Sequence, residues 1–161
     1  MVTQTRVSET TTTIHREIFY DGKSKKQITR EGDEGARGKC IEAVSIFKTG
    51  IKPQWEEPVN KTGGGWYINP ITKIDMLEKS FETILLSMIG ETLDDGADVN
   101  GLRVVDKSAR RKGCIYRLEV WAKSIAVKGT LQERLEKSLN ADTEVLNRSS
   151  GVKMYWKKHS Y

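Results

Sequence analysis

The chain has 161 residues, a length that suits one domain with one hydrophobic core, and 37% of its residues are hydrophobic while 30% are charged. Its net charge of +5 at pH 7 favours an anionic partner over a cationic one. No apolar run approaches the roughly 20 residues that span a bilayer, and the two cysteines match no metal-ligand or disulfide pattern, which fits a reducing intracellular compartment.

The first part of the chain predicts an arm, a strand and a loop. Residues 1–11 are polar and Thr-rich, which predicts a flexible arm ahead of a single domain over residues 12–161. Residues 12–20 are rich in strand-forming side chains, with imperfect alternation. Residues 21–38 consist mostly of glycine and charged residues, and they predict a long loop.

The middle of the chain predicts a strand followed by the clearest helix. A glycine-rich turn within residues 63–69 leads into a short strand at residues 66–68. Apolar side chains then recur at helical spacing over residues 73–89, and Gly90 follows as a C-cap candidate. The apolar stripe of this helix comprises Ile74, Leu77, Phe81, Ile84, Leu85 and Met88.

The last part of the chain predicts two more strands, a second helix and a final strand. Residues 102–108 and 114–123 predict strands joined by a basic turn, and residues 152–158 predict the last strand. The second helix is predicted to begin with Thr130 as N-cap, because Glu133 completes a capping box. Its buried stripe comprises Leu131, Leu135 and Leu139. Strands predominate in this prediction, and the two helices can cover one face of the sheet that they form. The sequence therefore predicts an α+β fold with a curved, mostly antiparallel sheet.

The dipeptide Trp55-Glu56 combines an aromatic face with a carboxylate on a turn-rich segment. An indole can stack on a base, and a carboxylate can accept two charge-assisted hydrogen bonds from the N1–H and N2–H₂ edge of guanine. Methylation of guanine at N7 makes the base cationic and adds a cation–π contribution to stacking. The pair therefore predicts a reader of methylated guanine; the alternative is a core tryptophan beside a surface carboxylate.

The run from Trp55 to Trp66 resembles the signature of the eukaryotic translation initiation factor 4E family, whose members bind the 7-methylguanosine cap of messenger RNA. That signature places Trp-Glu, then Asn60, then two glycines and a second tryptophan at this spacing. The resemblance extends over residues 44–160. Its other parts are Ser45–Pro53, Ile89–Asp95, the basic hairpin Arg110–Arg117 and Trp121.

The resemblance implies a non-enzymatic cap-binding protein of the cytoplasm that acts in translation initiation and needs no cofactor. It implies that the base stacks on Trp55, that Glu56 recognises the guanine edge, and that Trp121 contacts the N7-methyl group. For Trp121, a position in the core of the sheet is the alternative. For Trp66, which follows the glycines at the start of a strand, we expect a core role.

The basic hairpin supplies the candidates for the phosphates of the cap, because the family places one basic residue on each hairpin strand. Alignment on the hairpin turn selects Arg110 and Arg117, with Lys112 in the turn itself. Alignment on the preceding strand selects Lys107 in place of Arg110. Arginine forks bind phosphate well, but an exposed basic turn that serves solubility is the alternative.

Three departures from the family set further expectations. The family sandwiches the base between two tryptophans, yet none precedes Trp55; Gln27 stands near the expected position, and Tyr20 is the nearest aromatic candidate. The aromatic segment with which the family binds scaffold peptides of the Tyr-x₄-Leu-Φ kind is missing, and Glu82 replaces an apolar contact on the long helix. No counterpart of the family's C-terminal phosphate-binding loop follows the last strand, so we expect a short, diverged member.

We therefore expect capped messenger RNA as the partner of a monomeric protein without membrane association, and any scaffold protein on a non-standard surface. A cap-sequestering repressor is the closest alternative function. A nucleotide or cap pyrophosphatase is the alternative from another class, and it would need clustered carboxylates for Mg²⁺. Glu56-Glu57 and Asp94-Asp95 could supply them, but neither pair has a recognised hydrolase motif.

Overall fold

The structure is a computed structural model, and it describes residues 12–19, 40–94, 98–108, 114–142, 145–146 and 151–159. The predicted arm at 1–11 and the predicted loop at 21–38, with Gln27, lie outside these residues. So do three site candidates: Tyr20, Arg110 and Lys112. The described segments contain a six-stranded sheet, two long helices, one short helix and one 3-10 turn.

The sheet has the strand order β1-β2-β4-β5-β3-β6, and every neighbouring pair is antiparallel. Its strands are β1 (Thr12–Phe19), β2 (Cys40–Lys48), β3 (Gly64–Ile71), β4 (Val99–Asp106), β5 (Tyr116–Ala122) and β6 (Lys153–Lys158). The helices are α1 (Pro58–Lys61), α2 (Ile74–Ile89) and α3 (Lys128–Asp142), with the 3-10 turn at Ile125–Val127. The predicted α+β fold is confirmed, and none of the described helices is long and apolar enough to cross a membrane.

One face of the sheet is covered by α2 and α3, and the main hydrophobic core lies there. Helix α2 buries Leu77 and Ile84, and α3 buries the predicted stripe of Leu131, Leu135 and Leu139. The sheet contributes Trp66, Ile68, Leu102, Leu118 and Val120 to the same core. Full burial of one such side chain stabilises a protein by about 1.5–3 kcal/mol, so packing of these stripes fixes both helices on the sheet.

The opposite face of the sheet carries Phe47, Tyr67 and Trp121, and we call it the aromatic face. Strands β3 and β4 flank β5, so that Gly65 and Gly101 both lie beside Trp121. A side chain at Gly101 would overlap the ring of Phe47, which packs edge-on against Trp121 with 5.4 Å between ring centroids. The glycine is therefore required for this aromatic packing.

The element boundaries confirm most of the sequence-based predictions and correct two. The helix over 73–89 and its C-cap Gly90 are confirmed. Thr130 is not an N-cap, because the chain enters α3 through the 3-10 turn and Ser124 caps that turn, its Oγ accepting a hydrogen bond from the Ala126 N–H at 3.1 Å. We did not predict β2, where apolar residues on both faces hide the alternation typical of a strand.

Candidate functional site

The turn that carries Trp55 is fixed from below by Asn60, which is fully buried. The Asn60 side-chain amide donates hydrogen bonds to the backbone carbonyls of Lys52 and Gln54, each at 2.9 Å. Its Oδ1 accepts a hydrogen bond of 2.8 Å from Asn100 on β4. One buried amide thus joins the segment before Trp55 to the sheet, so the turn is preorganised.

Three rings meet beneath this turn at the edge of the aromatic face. The Trp55 ring lies 6.3 Å from Trp121 and 6.0 Å from His159, measured between centroids, and its plane is within 15° of the imidazole plane. The Trp121 and His159 rings are 4.4 Å apart. Trp121 and His159 are buried whereas Trp55 is only half-buried, so Trp55 is the one ring of the three that reaches solvent.

His159 is held in one orientation by the same turn. Its Nδ1 lies 2.9 Å from the backbone carbonyl of Asn60, and because a carbonyl only accepts, Nδ1 carries the proton. Its backbone N–H donates to the Gly63 carbonyl at 3.0 Å. Burial lowers the pKa of His159 below its usual 6.5 and outweighs the Asn60 carbonyl and the Glu119 carboxylate, which raise it, so the neutral ring is favoured at physiological pH.

A charged network extends from Trp121 along β5. The Glu119 carboxylate is 1% exposed and accepts a hydrogen bond of 2.9 Å from the Trp121 indole N–H and one of 2.7 Å from Arg117 Nε. A terminal nitrogen of Arg117 also pairs with the same carboxylate. Every second residue of a strand points to the same face, so Arg117, Glu119 and Trp121 share one face of β5. The single buried carboxylate of Glu119 therefore orients both the indole and the guanidinium.

Tyr67 completes this network on β3, directly opposite Glu119. The Arg117 guanidinium lies over the Tyr67 ring, 5.1 Å from its centroid, and Tyr155 stacks on the ring with centroids 5.7 Å apart. Burial, together with the Glu119 charge, raises the pKa of Tyr67, which keeps the phenol protonated at all physiological pH values.

The structure brings together some of the predicted site residues. Trp55 and Trp121 are neighbours, and Glu56 is exposed next to Trp55. Trp121 is fully buried, so in this conformation its indole presents no open surface to a methyl group. Arg117 is paired with Glu119, while Lys107 is half-buried at the end of β4. The roles assigned to these side chains remain predictions.

Four residues of the site were not predicted as functional from the sequence: Asn60, Glu119, Lys157 and His159. A signal for Glu119 existed, because a glutamate between Leu118 and Val120 in an apolar strand must find a partner if it is buried. For His159 and Lys157 the sequence offers no signal, since their neighbourhood arises from the pairing of β6 with β3.

Comparisons with known proteins agree with the sequence signature. A model of the eukaryotic initiation factor 4E family matches residues 37–161. Eukaryotic translation initiation factor 4E-1 of Schizosaccharomyces pombe is 41% identical over 91 residues, which are 55% of this chain and 39% of that protein. Eukaryotic translation initiation factor 4E of Candida albicans is 34% identical over 110 residues, 62% of this chain and 48% of that protein.

Solved structures show the same fold. The complex of Caenorhabditis elegans eIF4E-3 with the 4E-binding protein Mextli gives a TM-score of 0.57 at 21% identity, covering 73% of this chain and 64% of that one. The complex of Ascaris suum eIF4E-3 with m7G cap gives a TM-score of 0.52 at 28% identity, covering 61% and 55% respectively.

The antiparallel sheet with helices on one face thus defines a 4E-type α+β protein. The chain belongs to the eukaryotic initiation factor 4E family, as the match over residues 37–161 shows. It spans less than half of the length of the two relatives named above, 39% of the first and 48% of the second.

Proposed function

We propose that this chain binds the 7-methylguanosine cap of messenger RNA as a non-catalytic factor in cytoplasmic translation initiation. The observation that carries the proposal is the half-buried indole of Trp55 on a braced turn, beside the exposed carboxylate of Glu56, in a chain of the 4E family. The m7G cap bound by Ascaris suum eIF4E-3 supports the same ligand class.

The base is recognised by stacking and by its edge. Stacking on Trp55 contributes about 1–3 kcal/mol, and the turn does not have to be ordered on binding because Asn60 already fixes it. Glu56 accepts two hydrogen bonds from the guanine edge, and adenine has no matching donor pair there. N7 methylation strengthens stacking through the cation–π contribution.

The phosphates are bound by cations of the β4–β5 hairpin. Arg117 is anchored by Glu119 and its side chain is 25% exposed, so it can present a remaining N–H edge without leaving its carboxylate. Lys107 stands at the start of the hairpin connection, and Arg110 and Lys112 belong to the connection itself. An anchored guanidinium loses little side-chain entropy when it binds phosphate.

The scaffold surface separates an initiation factor from a cap-sequestering repressor. On α2, Glu82, Leu86 and Ile89 are exposed and share one helical face by their spacing of four and three residues. The Glu82 carboxylate opposes the docking of an apolar scaffold peptide on this stripe. If no scaffold protein binds to another surface, the chain would bind the cap without recruiting a scaffold, as a repressor does. The C. elegans eIF4E-3 complex contains a 4E-binding protein, which keeps a scaffold or regulator as the expected second partner of this chain.

A hydrolase reading receives no support from the described residues. Among them, no group of three or more His, Cys, Asp or Glu side chains is arranged to hold a metal ion. The Asp94 carboxylate instead accepts hydrogen bonds from the backbone N–H groups of Asp98 and Val99.

Titration of the intrinsic tryptophan fluorescence with 7-methyl-GTP and with GTP tests the proposal. We expect the methylated nucleotide to bind roughly 2- to 30-fold more tightly, the range that corresponds to a cation–π gain of ~0.5–2 kcal/mol. Trp55→Leu should abolish most of the quenching and the binding. Equal affinity for the two nucleotides would refute cap recognition, and hydrolysis of either nucleotide in the presence of Mg²⁺ would restore the pyrophosphatase alternative.

A further inference from the structure

The indole of Trp55 is already in contact with a cation of the protein itself. The Lys157 Nζ lies 4.6 Å from the centroid of the Trp55 ring. Lys157 pairs with Gly65 of β3, which places it on the aromatic face, whereas the next residue, Lys158, points to the other side of β6. Lys157 is exposed, so its long side chain can move without disturbing the core.

The ammonium occupies space that a ligand requires. A base stacked on Trp55 must bring its ring atoms within roughly 3.5–4 Å of the indole, the optimal separation for carbon atoms. The Lys157 ammonium lies over the ring, 4.6 Å from its centroid, so it would overlap a base stacked at that separation on the same side of the indole. Among the described residues, the indole also lies beside the buried rings of His159 and Trp121, and His159 is hydrogen-bonded to Asn60. Of these three described side chains, Lys157 is the one that can leave the indole by a change of rotamer.

We propose that Lys157 covers the stacking face of Trp55 in the free protein and, once the base displaces it, binds the phosphates attached to that base. The inference rests on the proposed function, because it requires that a nucleotide stacks on Trp55. The Lys157 ammonium thus contacts the Trp55 indole when no ligand is bound, and an anionic phosphate when the nucleotide is bound.

The exchange has different consequences for different ligands. A nucleoside must break the lysine–indole contact and offers the ammonium nothing in return. A triphosphate offers anionic oxygens within reach of a flexible four-carbon stem, so the displaced charge is stabilised again. Methylated and unmethylated bases displace the same lysine, so Lys157 changes the dependence on phosphate and not the preference for methylation.

Lys157→Thr tests the inference, with Lys158→Thr as the matched control. Both changes remove one exposed ammonium from the same strand and keep a residue that favours strands. Affinities for 7-methylguanosine and for 7-methyl-GTP are measured by calorimetry for both variants and the wild type. Acrylamide quenching of tryptophan fluorescence without ligand reports the exposure of Trp55 when all variants carry Trp156→Phe, because Trp156 is also half-buried whereas Trp66 and Trp121 are buried.

We expect Lys157→Thr to bind 7-methylguanosine about 2- to 5-fold more tightly than wild type, the factor equivalent to an exposed cation–π contact of ~0.5–1 kcal/mol. The ratio of triphosphate to nucleoside affinity should fall at least about fivefold, because a charged hydrogen bond to phosphate is lost as well. Acrylamide quenching should increase. Lys158→Thr should leave the nucleoside affinity and the quenching unchanged, with only a small loss for the triphosphate.

The outcomes separate this inference from the proposed function. If wild type prefers 7-methyl-GTP over GTP but the two lysine variants behave alike, the role of Lys157 is wrong and cap binding stands. Unchanged acrylamide quenching in Lys157→Thr would overturn the covering of Trp55 independently of any ligand. If wild type shows no preference for the methylated nucleotide, the proposed function fails and the phosphate role of Lys157 fails with it.

Discussion

Removing the Glu119 carboxylate should destabilise the fold more than any other single change of a charged residue on the aromatic face. In Glu119→Leu, the indole N–H of the buried Trp121 loses its acceptor, and the guanidinium of Arg117 loses its counter-charge. An unsatisfied buried donor costs about 1–3 kcal/mol. Because the Arg117 side chain is 25% exposed, water compensates part of the second loss, and we expect a total decrease of about 2–4 kcal/mol.

Urea unfolding measures this decrease, provided that the dependence of the unfolding free energy on urea stays constant. Glu133→Leu, at an exposed position of α3, serves as the control and should change stability by no more than about 0.5 kcal/mol. The double variant Glu119→Leu/Arg117→Leu should be more stable than the sum of the two single changes predicts. It no longer contains an Arg117 guanidinium that has lost its carboxylate. A loss for Glu119→Leu as small as that of the control would show that the network does not hold Trp121.

Three further outcomes follow from the site. Glu56→Ala should weaken 7-methyl-GTP binding by about 2–3 kcal/mol in calorimetry with an unchanged melting temperature, whereas Glu57→Ala should leave binding unchanged. Equal effects of the two changes would show that Glu56 is a surface carboxylate without a role in recognising the base. Asn60→Ala removes three hydrogen bonds at about 0.5–1.5 kcal/mol each, so the unfolding free energy and the cap affinity should both fall. A loss of stability without a loss of affinity would show that Asn60 does not hold Trp55 in its binding position. Burial lowers the pKa of His159 in the folded state, so near and below the ordinary pKa of 6.5 the unfolded chain binds more protons than the folded protein. The melting temperature should therefore fall as the pH drops from 7.5 through 6.5, and His159→Gln should make this fall smaller.

The sequence predicted those parts of the molecule that depend on local patterns. Two apolar stripes follow from helical periodicity: that of Leu131, Leu135 and Leu139, which the structure buries, and that of α2, in which Ile74 is the exception because it is 55% exposed. The start of α3 was mispredicted because two capping signals compete within seven residues, and the choice between Ser124 and Thr130 depends on how the chain leaves β5.

The site was predictable only where the signature is local. Trp55 and Glu56 lie within one short motif, so their proximity follows from the chain itself. His159 lies 99 residues after Asn60, and its hydrogen bond to the Asn60 carbonyl depends on the register between β6 and β3. No periodicity encodes that register, so the imidazole and the lysine beside Trp55 could be found only in the folded structure.

The surface of α2 gives the prediction on partners. A Tyr-x₄-Leu-Φ peptide needs a continuous apolar stripe, and here Leu86 and Ile89 are 60% and 58% exposed while Glu82 lies one helical turn before them on the same face. Burying an unpaired carboxylate beneath an apolar peptide is unfavourable, so we expect a Kd weaker than roughly 10 µM, or about −7 kcal/mol, in fluorescence anisotropy.

Glu82→Leu completes the stripe and should tighten peptide binding by about tenfold, since a buried leucine contributes ~1.5 kcal/mol or more. Glu133→Leu, on the other long helix, should not change peptide binding. Wild-type binding near 100 nM, roughly −9.5 kcal/mol, would show that Glu82 does not interrupt the peptide surface. A variant no tighter than wild type would show instead that this face of α2 takes no such peptide, and that a scaffold protein must bind this chain elsewhere.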